Sequence, residues 1–589
     1  MDYLFHIAVM VCLYSILATS FNLLIGFAGL FALSQAAFYG LGAYVTAILL
    51  VDLGLPFPLP LIASGLVGAG IGALVALPAL RIAGDYLVVV TLAFQIILVE
   101  VAMNWRSLTG GTDGISGVPN YAFFGVTLNT PAGFLPVAVL VAGVCFWITW
   151  RIATSPFGRA LRAMRENESA AVSIGKNTVS IKLVIFALSA GLSAVAGSLF
   201  ARSFNYVSAD SFLIEETIYI LAMVILGGAG NLIGSVLGAA ILVILPELLK
   251  FIDLPIDIAD KSRLLLYGLV MVLILIFRPQ GLLGERKTQA RLPKLSDVTA
   301  AATPTSATAA PALAATASAA PVAAARQPTG AAAPAGGGAG RVVEGRQLAK
   351  NFGGIVAISH LDIRLEPSTI TGLIGPNGAG KTTAFNLLTG FLKPSGGQIL
   401  LDGGSIAGLK PHQLARTGLA RSFQDLRLFT RMTVLENVLV ALPNQAGDNP
   451  ANLFLRPVGV RREELDNARR ARDVLAFVGL EDKLNEVAEN LSYAEEKLLV
   501  VARLLATGAD VLLFDEPLSG LDRTTLEEIF PVMRRLAENG KTVCIIEHNL
   551  DVIKELCTTV YYLDEGHAMA VGKPDELMND PELAERYFR

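Results

Sequence analysis

Ile370-Thr-Gly-Leu-Ile374, followed at once by Gly375-Pro-Asn-Gly-Ala-Gly-Lys381-Thr382-Thr383, decides the fold of the C-terminal half. The second part fits G-x-x-x-x-G-K-[ST], in which backbone N–H groups wrap phosphates, the lysine reaches the β and γ oxygens, and the hydroxyl holds Mg²⁺. The first part has the pattern of a buried strand, and residues 382–388 have that of a helix opening, as this motif requires. The predicted nucleotide-binding residues in this loop are Gly375, Asn377, Gly378, Gly380, Lys381, Thr382 and Thr383.

The composition is typical of a membrane protein of more than one domain. The chain has 589 residues, a mean hydropathy of +0.57 and only 16% charged residues. Its net charge of −4 provides no basic footprint, so we expect no nucleic-acid partner. The four cysteines are scattered and form no C-x-x-C pair, which predicts buried structural thiols.

The N-terminal part contains about nine apolar stretches long enough to cross a hydrocarbon core of ~30 Å. The glycine-rich first pair leaves open a re-entrant or broken helix. The predicted spans are 3–25, 30–51, 58–80, 84–104, 133–151, 181–203, 214–231, 234–252 and 262–278. The fold prediction is therefore a polytopic α-helical membrane domain, followed by an α/β P-loop domain.

The basic residues predict the orientation, because cytoplasmic loops retain Lys and Arg. The loop after the fifth span and the tail after the ninth are rich in these residues, whereas 210–216 and 253–260 are acid-rich. Nine spans then place the N-terminus outside and the C-terminus inside. This parity lets the nucleotide-binding half meet cytoplasmic ATP.

A segment of low complexity separates the two halves. Residues 299–340 are nearly all Ala, Pro, Thr, Ser and Gly, and the prolines divide the segment into pieces too short for a stable isolated helix. It is predicted to be a disordered tether. The predicted domains are a membrane domain at 1–285, a linker at 286–340 and a nucleotide-binding domain at 341–589.

A second phosphate-chemistry element follows the loop in the soluble half. Val511-Leu-Leu-Phe-Asp515-Glu516 has the pattern of a buried strand that ends in two carboxylates. There Asp515 is expected to hold Mg²⁺, usually through water, and Glu516 to polarise the water that attacks the γ-phosphate. The alternative is a strand followed by an ordinary acidic turn.

Five elements in order make this half resemble ABC-type ATPases. They are the phosphate loop, Gln424 in Arg421-Ser-Phe-Gln-Asp425, the Asp515-Glu516 strand, Ser519-Gly-Leu-Asp522, and His548. The resemblance implies that Gln424 senses the γ-phosphate and Mg²⁺, and that His548 contacts the γ-phosphate. The implied catalytic residues are Glu516, His548 and Gln424, and the implied Mg²⁺ ligands, partly through water, are Thr382, Gln424 and Asp515.

Phe352, in Asn351-Phe-Gly-Gly354, is similar to the aromatic residue that stacks on adenine in this family. The alternative is a phenylalanine of the hydrophobic core. The family also has an L-S-G-G-Q signature, whose helix N-terminus addresses ATP bound by the opposite subunit. Here the matching segment is Leu491-Ser-Tyr-Ala-Glu495, which retains Ser492 as the implied nucleotide contact.

The signature departs from the family at three positions. Tyr493 and Ala494 replace residues that allow close backbone approach, and Glu495 is expected to place negative charge near phosphate. The sequence therefore predicts a weakened signature beside an intact phosphate loop. It leaves open an ATP-gated binding module with little hydrolysis of its own.

The membrane half resembles the LivM-type permease of high-affinity branched-chain amino acid importers. The resemblance rests on five glycine-rich segments: Asn22-Leu-Leu-Ile-Gly26-Phe-Ala-Gly29, Gln35-Ala-Ala-Phe38-Tyr-Gly-Leu-Gly-Ala-Tyr44, Leu108-Thr-Gly-Gly-Thr-Asp-Gly114, Leu226-Gly-Gly-Ala-Gly230 and Phe277-Arg-Pro-Gln-Gly281. The ATPase half resembles the LivG-type subunit through Phe352-Gly-Gly, Arg421-Ser-Phe-Gln and Val571-Gly-Lys-Pro-Asp-Glu576.

The basic loop Phe157-Gly-Arg-Ala-Leu-Arg-Ala-Met-Arg165, with Glu168 and Gly175, resembles the coupling helix that importers seat on their ATPase. The alternative is a plain positive-inside anchor. The resemblance implies a multi-pass protein of the bacterial cytoplasmic membrane that works with a second permease, a second ATPase, an extracytoplasmic solute-binding protein and membrane lipid. Branched-chain amino acids lead as substrate; urea, amides or aromatic acids, and export instead of import, are the alternatives.

Overall fold

Apolar helices form the first of two units in the computed structural model. The structure describes residues 2–56, 58–79, 86–119, 122–123, 126–127, 130–249, 268–269, 272, 276–278, 280–285 and 340–579. One unit comprises Met1–Arg165 and Thr178–Thr288, and the other Glu166–Asn177 and Gln289–Arg589. The predicted linker, apart from its last residue, and most of the ninth predicted span lie outside the described residues.

The other eight predicted spans each coincide with a helix. Five helical segments are long and apolar enough to cross a membrane in the part of the chain that the structure describes. The elements up to residue 249 are α1 (Asp2–Asn22) with a π-helical turn (Leu23–Phe27), α2 (Gln35–Val51), α3 (Leu59–Ala79), α4 (Tyr86–Asn104), α5 (Arg106–Thr109), a 3-10 turn (Gly111–Asp113), β1 (Ile115–Ser116), β2 (Ala122–Phe123), β3 (Val126–Thr127), α6 (Pro131–Ala153), α7 (Pro156–Glu166), α8 (Glu168–Ser173), α9 (Thr178–Phe204), β4 (Tyr206–Val207), a 3-10 turn (Ala209–Phe212), α10 (Ile214–Gly227) and α11 (Leu232–Leu249).

The second span begins later than predicted, because the chain is not helical over residues 28–34. A helix that begins inside an apolar unit exposes backbone amides that need acceptors. Side chains from other helices supply them. The Ala36 amide donates to Thr217 Oγ1 at 3.0 Å, and the Ala37 amide donates to Gln95 Oε1 at 2.6 Å. The sequence left a broken helix open, and this is where the helix breaks.

The glycine-rich helix faces pack inside the first unit. A Cβ on Gly68 or Gly72 of α3 would press on Ala194 or Ala190 of α9. A Cβ on Gly227 of α10 would overlap the backbone of Gly234 on α11. Small residues permit this close approach of helices. These glycine faces therefore serve packing between helices of the first unit.

Two sheets and a set of helices build the second unit. A four-stranded antiparallel sheet has the order β6-β5-β8-β9, and a six-stranded sheet has the order β10-β11-β12-β7-β13-β14. The strands are β5 (Val343–Phe352), β6 (Ile355–Leu365), β7 (Ile370–Ile374), β8 (Gly396–Leu401), β9 (Gly404–Ser405), β10 (Leu419–Arg421), β11 (Val511–Asp515), β12 (Thr542–Ile546), β13 (Thr559–Asp564) and β14 (His567–Gly572).

Helices pack around these sheets, and the core between them is apolar. Leu365, Leu373, Phe385 and Leu513 are buried together in that core. The helices are α12 (Lys381–Leu388), α13 (Pro411–Arg416), α14 (Val434–Ala441), α15 (Pro450–Leu455), α16 (Pro457–Val478), α17 (Tyr493–Ala506), α18 (Arg523–Glu538), α19 (Leu550–Leu556) and α20 (Pro574–Met578). The predicted α/β domain is confirmed by this arrangement.

The direction of the strands brings the predicted motifs to one edge. Strands β10, β11, β12, β7 and β13 run parallel, and only β14 at the end of the sheet is antiparallel. The segments that leave the carboxyl ends of β7, β10, β11 and β12 are therefore neighbours. In open α/β sheets ligands bind at this edge.

Candidate nucleotide site and coupling segment

The phosphate loop lies between β7 and α12. Gly375, Gly378 and Gly380 have φ values of 149°, 86° and 98°, which residues with a Cβ adopt only with strain. The Lys381 ammonium donates hydrogen bonds to the carbonyl oxygens of Gly375 at 2.6 Å and Pro376 at 3.0 Å. Burial lowers the pKa of Lys381, while the negative charges of Glu516 and Asp515 oppose this shift.

The residues that follow the loop fit an anion. Thr382 is exposed and Thr383 half-buried in the first turn of α12, and Asn377 is exposed on the loop. The N-terminal end of a helix presents free N–H groups and a positive dipole, so it favours phosphate. A Cβ on Gly378 would meet nothing within 4 Å, which leaves room over the loop. The predicted binding residues thus lie on one short segment.

Asp515 at the end of β11 is buried in an ion pair. Its carboxylate accepts a hydrogen bond at 2.9 Å from Arg421, which also donates to Asn386 Oδ1 at 2.5 Å. The Asp515 amide donates to Ser422 Oγ at 2.9 Å. Burial raises the pKa of Asp515, and Arg421 acts against this shift. The sequence quoted Arg421 only as part of a motif, since a buried partner on a neighbouring strand leaves no spacing pattern.

Replacing Arg421 with Met is expected to loosen this edge of the sheet. The change leaves a buried carboxylate without its cation, which costs about 3–5 kcal/mol. Hydrogen exchange of the β11 amides in the full chain should show a loss of protection of that order. Arg346→Met is the matched control, because Arg346 pairs with Glu344 at the surface, where such pairs contribute at most about 1 kcal/mol. Equal protection of β11 in both variants would contradict the assignment.

The three predicted catalytic residues meet at one oxygen. Glu516 Oε1 accepts a hydrogen bond from Gln424 Nε2 at 3.2 Å and lies 3.1 Å from His548 Nε2. Glu516 itself has a φ of 50°, an uncommon conformation for a residue with a side chain. Such backbone persists only where the surroundings hold it.

Helix α17, which begins within the signature segment, stabilises this backbone conformation. Lys497 on α17 is buried and donates to the backbone carbonyl of Glu516 at 2.8 Å. Its ammonium also lies 5.2 Å from the centre of the Tyr493 ring, and the Tyr493 hydroxyl donates to the Ser519 carbonyl at 3.3 Å. The altered signature residue Tyr493 thus contacts the segment that follows Glu516. Sequence reasoning missed Lys497 because it matches no element of the family motif.

Glu547, which precedes His548, is a second residue that the sequence reasoning missed. Burial raises its pKa to about 7. Its carboxylate accepts a hydrogen bond from the Leu518 amide at 2.8 Å. Glu547 therefore ties the end of β12 to the segment after β11, and it supports the backbone that carries Glu516 and His548.

The first turn of α17 uses its own side chains as a cap. Ser492 Oγ accepts from the Glu495 amide, and the Glu495 carboxylate accepts from the Ser492 amide at 2.9 Å. Lys483 forms an ion pair with Glu495 at 2.5 Å. Partial burial works to raise the pKa of Glu495, but these bonds from Lys483 and Ser492 outweigh it and lower the pKa. The negative charge expected near phosphate is thus partly balanced within the subunit.

Phe352 lies at the end of β5, on the other sheet. Its side chain is 45% exposed, so it is not the core residue that was the alternative. The Lys350 ammonium lies 5.0 Å from the centre of its ring. The structure brings Gln424, Glu516 and His548 into contact, whereas Ser492 and Phe352 lie on separate elements of the same unit.

Only the later part of the predicted coupling segment belongs to the second unit by its contacts. Phe157–Arg165 groups with the first unit, whereas residues 166–177, which include Glu168 and Gly175, group with the second. Lys176 is buried and forms an ion pair with Asp448 at 2.6 Å. Arg416 Nε donates to the Gly175 carbonyl at 3.1 Å. A plain positive-inside anchor does not require these bonds.

The backbone of this segment also fits its position. Asn167 caps α8 by accepting from the Ala170 amide at 2.9 Å. Gly175 has a φ of 88°, and a Cβ there would meet Arg416 at 3.4 Å. The amide of Arg431, which follows the Gln424 segment, donates to Glu166 at 3.1 Å. The segment therefore contacts the part of the chain that leads from Gln424 to α14.

A phosphate loop at the edge of a parallel sheet, with the ordered residues above, defines an ABC-type ATP-binding domain, here joined to a helical membrane unit. Residues 358–519 match the family "ABC transporter", and residues 3–275 match "Branched-chain amino acid transport system / permease component". The chain belongs to the ABC transporter family, as a permease fused to an ATPase. It is a membrane protein with a cytoplasmic ATP-binding domain, and it is one component of a multi-component transporter.

Two relatives match opposite halves of the chain. The high-affinity branched-chain amino acid transport ATP-binding protein LivG of Escherichia coli K12 is 37% identical over 242 residues, 41% of this chain and 95% of its own length. The permease protein LivM of the corresponding system of Salmonella typhimurium is 37% identical over 309 residues, 49% of this chain and 71% of its own. A solved nucleotide-free ATP-binding cassette from an ABC transporter is 30% identical over 42% of this chain and 98% of its own, with a TM-score of 0.38.

Proposed function

We propose that this chain imports branched-chain amino acids across the bacterial cytoplasmic membrane as the fused permease and ATP-hydrolysing subunit of an ABC transporter. One observation carries the proposal. Proteins named for high-affinity branched-chain amino acid transport align with both halves of this single chain, each at 37% identity. The fused order, permease first and ATPase second, joins two activities that one transport cycle needs.

The ATP site is assigned by residue chemistry. Gly375, Asn377, Gly378, Gly380, Lys381, Thr382 and Thr383 bind the phosphates, and Phe352 stacks on adenine. Thr382, Gln424 and Asp515 would hold Mg²⁺, partly through water, because hydroxyl, amide and carboxylate oxygens are the ligands that this ion prefers. When bound, Mg²⁺ neutralises charge on the phosphates. The buried Arg421 beside Asp515 favours the ionised form of that carboxylate, against the effect of burial, and an ionised carboxylate suits a metal ligand.

Glu516 acts as the base for the attacking water. Its Oε1 already lies within hydrogen-bond distance of Gln424 and His548, which fix the side chain. Lys497 fixes the backbone from the other side. Two contacts on the carboxylate and one on the carbonyl leave Glu516 little freedom, and pre-arranged groups of this kind reduce the reorganisation that the reaction needs.

The remaining partners complete the transport cycle. A second permease, a second ATPase and an extracytoplasmic solute-binding protein make the full assembly, and Ser492 contacts ATP bound by the second ATPase. The contacts of residues 166–177 with α13, Arg431 and Asp448 support a coupling role. Closure of the two ATPases would move this segment and so change the access of the permease.

Uptake by the assembled complex tests the proposal. The complex is placed in proteoliposomes with its binding protein outside and ATP inside, and entry of radiolabelled leucine, isoleucine and valine is measured. ATP-dependent accumulation is expected. If urea, an amide or an aromatic acid accumulated and the branched-chain amino acids did not, the proposed substrate would be wrong. ATP-dependent loss of preloaded solute would indicate an exporter. A bound complex without phosphate release would favour the ATP-gated module.

A further inference from the structure

A carboxylate lies inside the helical unit in the first turn of α10. The Tyr14 hydroxyl is hydrogen-bonded to the Glu216 carboxylate, but the Oε1 atom of that carboxylate is buried and receives no hydrogen bond from the described residues. Its neighbour Glu215 is exposed and is sufficient for the favourable interaction of an acid with a helix N-terminus. The inward position of Glu216 therefore needs another explanation.

The acid-rich stretch 210–216, which the sequence predicts as an outer loop, is held at Phe212 beside the middle of a membrane-spanning helix. Gln95 is the central residue of α4, and its Nε2 donates to the Phe212 carbonyl at 2.6 Å. Gln95 Oε1 accepts a hydrogen bond from the backbone N–H of Ala37 at 2.6 Å. Thr217 Oγ1, next to Glu216, accepts one from the backbone N–H of Ala36. Ionisable side chains at such depth are costly and mark substrate or ion pathways.

Two tyrosines lie beside this carboxylate, and a third packs against one of them. The Tyr14 hydroxyl of α1 is hydrogen-bonded to the Glu216 carboxylate, and Tyr39 of α2 is close enough to interact with it electrostatically. The rings of Tyr14 and Tyr219 meet edge to face with their centres 5.3 Å apart. The Tyr39 hydroxyl is buried and has no hydrogen-bond partner among the described residues. Within the same part of the chain, no Lys or Arg pairs with Glu216.

A buried carboxylate beside tyrosine hydroxyls is suited to a cation that donates hydrogen bonds, and a primary ammonium group is such a cation. We propose that Glu216, with the hydroxyls of Tyr14 and Tyr39, binds the α-ammonium group of the transported amino acid inside the permease. The inference rests on the proposed function.

Transport by a charge-neutral variant tests the site. In proteoliposomes of the full complex, Glu216→Gln is expected to lower leucine uptake by at least about tenfold, because a neutral amide cannot replace the charge. ATP hydrolysis stimulated by the binding protein should persist, since this change leaves the ATPase unit untouched. Glu215→Gln is the matched control on the same turn and should transport leucine at the parental rate.

A binding measurement distinguishes ammonium recognition from a purely structural role. Radiolabelled leucine is equilibrated with the purified complex without its binding protein, and 4-methyl-2-oxopentanoate, which lacks the ammonium group, is the competitor. The oxoacid should compete at least about tenfold less well than leucine with the parental complex, and Glu216→Gln should remove that difference. Equal competition in the parent, or parental uptake by Glu216→Gln, overturns the inference alone. No leucine uptake by the parent overturns the proposed function and the inference with it.

Discussion

Glu516→Gln is expected to leave ATP binding intact and to reduce ATP turnover of the assembled complex by at least about 100-fold. The amide keeps the size of the side chain and its hydrogen bond with Gln424 or His548, so the loop that carries it should remain folded. It cannot accept a proton from water. Turnover is measured as phosphate release, and binding as retention of labelled ATP.

The control for this variant is Glu565→Gln. Glu565 shares the unusual backbone of Glu516, with a φ of 46°, but it is exposed on the turn between β13 and β14. It should hydrolyse ATP at the parental rate. If Glu516→Gln also kept the parental rate, Glu516 would not be the base, and Glu547, which follows the neighbouring strand β12, would be the next carboxylate to test.

The second large effect concerns inequality between the two ATP sites. Each site forms between the phosphate loop of one ATPase and the signature of the other. With a partner ATPase whose signature is intact, the site that contains Lys381 receives good donors, and the partner's site receives Ser492–Glu495 of this chain. Lys381→Ala should then reduce turnover at least about tenfold more than the equivalent change in the partner, since donors to the γ-phosphate contribute factors of this order.

The variant that restores the signature gives the converse result. Ala494→Gly with Glu495→Gln should raise the share of turnover that survives Lys381→Ala. In the native chain, Lys483 and the Ser492 amide both contact the Glu495 carboxylate. The Glu495→Gln change therefore removes the negative charge and also the ion pair with Lys483 that partly balances it. Equal losses from the two lysine changes would contradict the asymmetry. A homodimeric ATPase would contradict it as well, because both sites would share the same signature.

The second unit was predictable because its chemistry is local in sequence. A phosphate loop needs its glycines, lysine and hydroxyl within nine residues, and the carboxylates of Asp515 and Glu516 end a run of five buried residues. The meeting of Gln424, Glu516 and His548 follows from parallel strands that end at one edge. The roles of these residues remain predictions until variants are measured.

Other features depend on contacts between distant segments, and they leave no periodic pattern. Arg421 pairs with a residue 94 positions away. Lys497 acts through a backbone carbonyl, which any residue would offer. The late start of α2 is set by Thr217 of α10 and Gln95 of α4, two helices that are distant from α2 in the sequence. Hydropathy identifies apolar stretches, but it cannot show where side chains replace helical hydrogen bonds.

The contacts that residues 166–177 make within the second unit affect how the fused chain tolerates mutations at this surface. A covalent connection gives docking partners an effective concentration on the order of millimolar, so binding stays saturated even when the intrinsic affinity is modest. Loss of the Lys176–Asp448 ion pair would then be masked by mass action in this chain. The same loss between separately synthesised subunits would appear as dissociation. Fusion thus relaxes the selection on each docking contact. Fused transporters can therefore accumulate substitutions at this surface without losing the docked state.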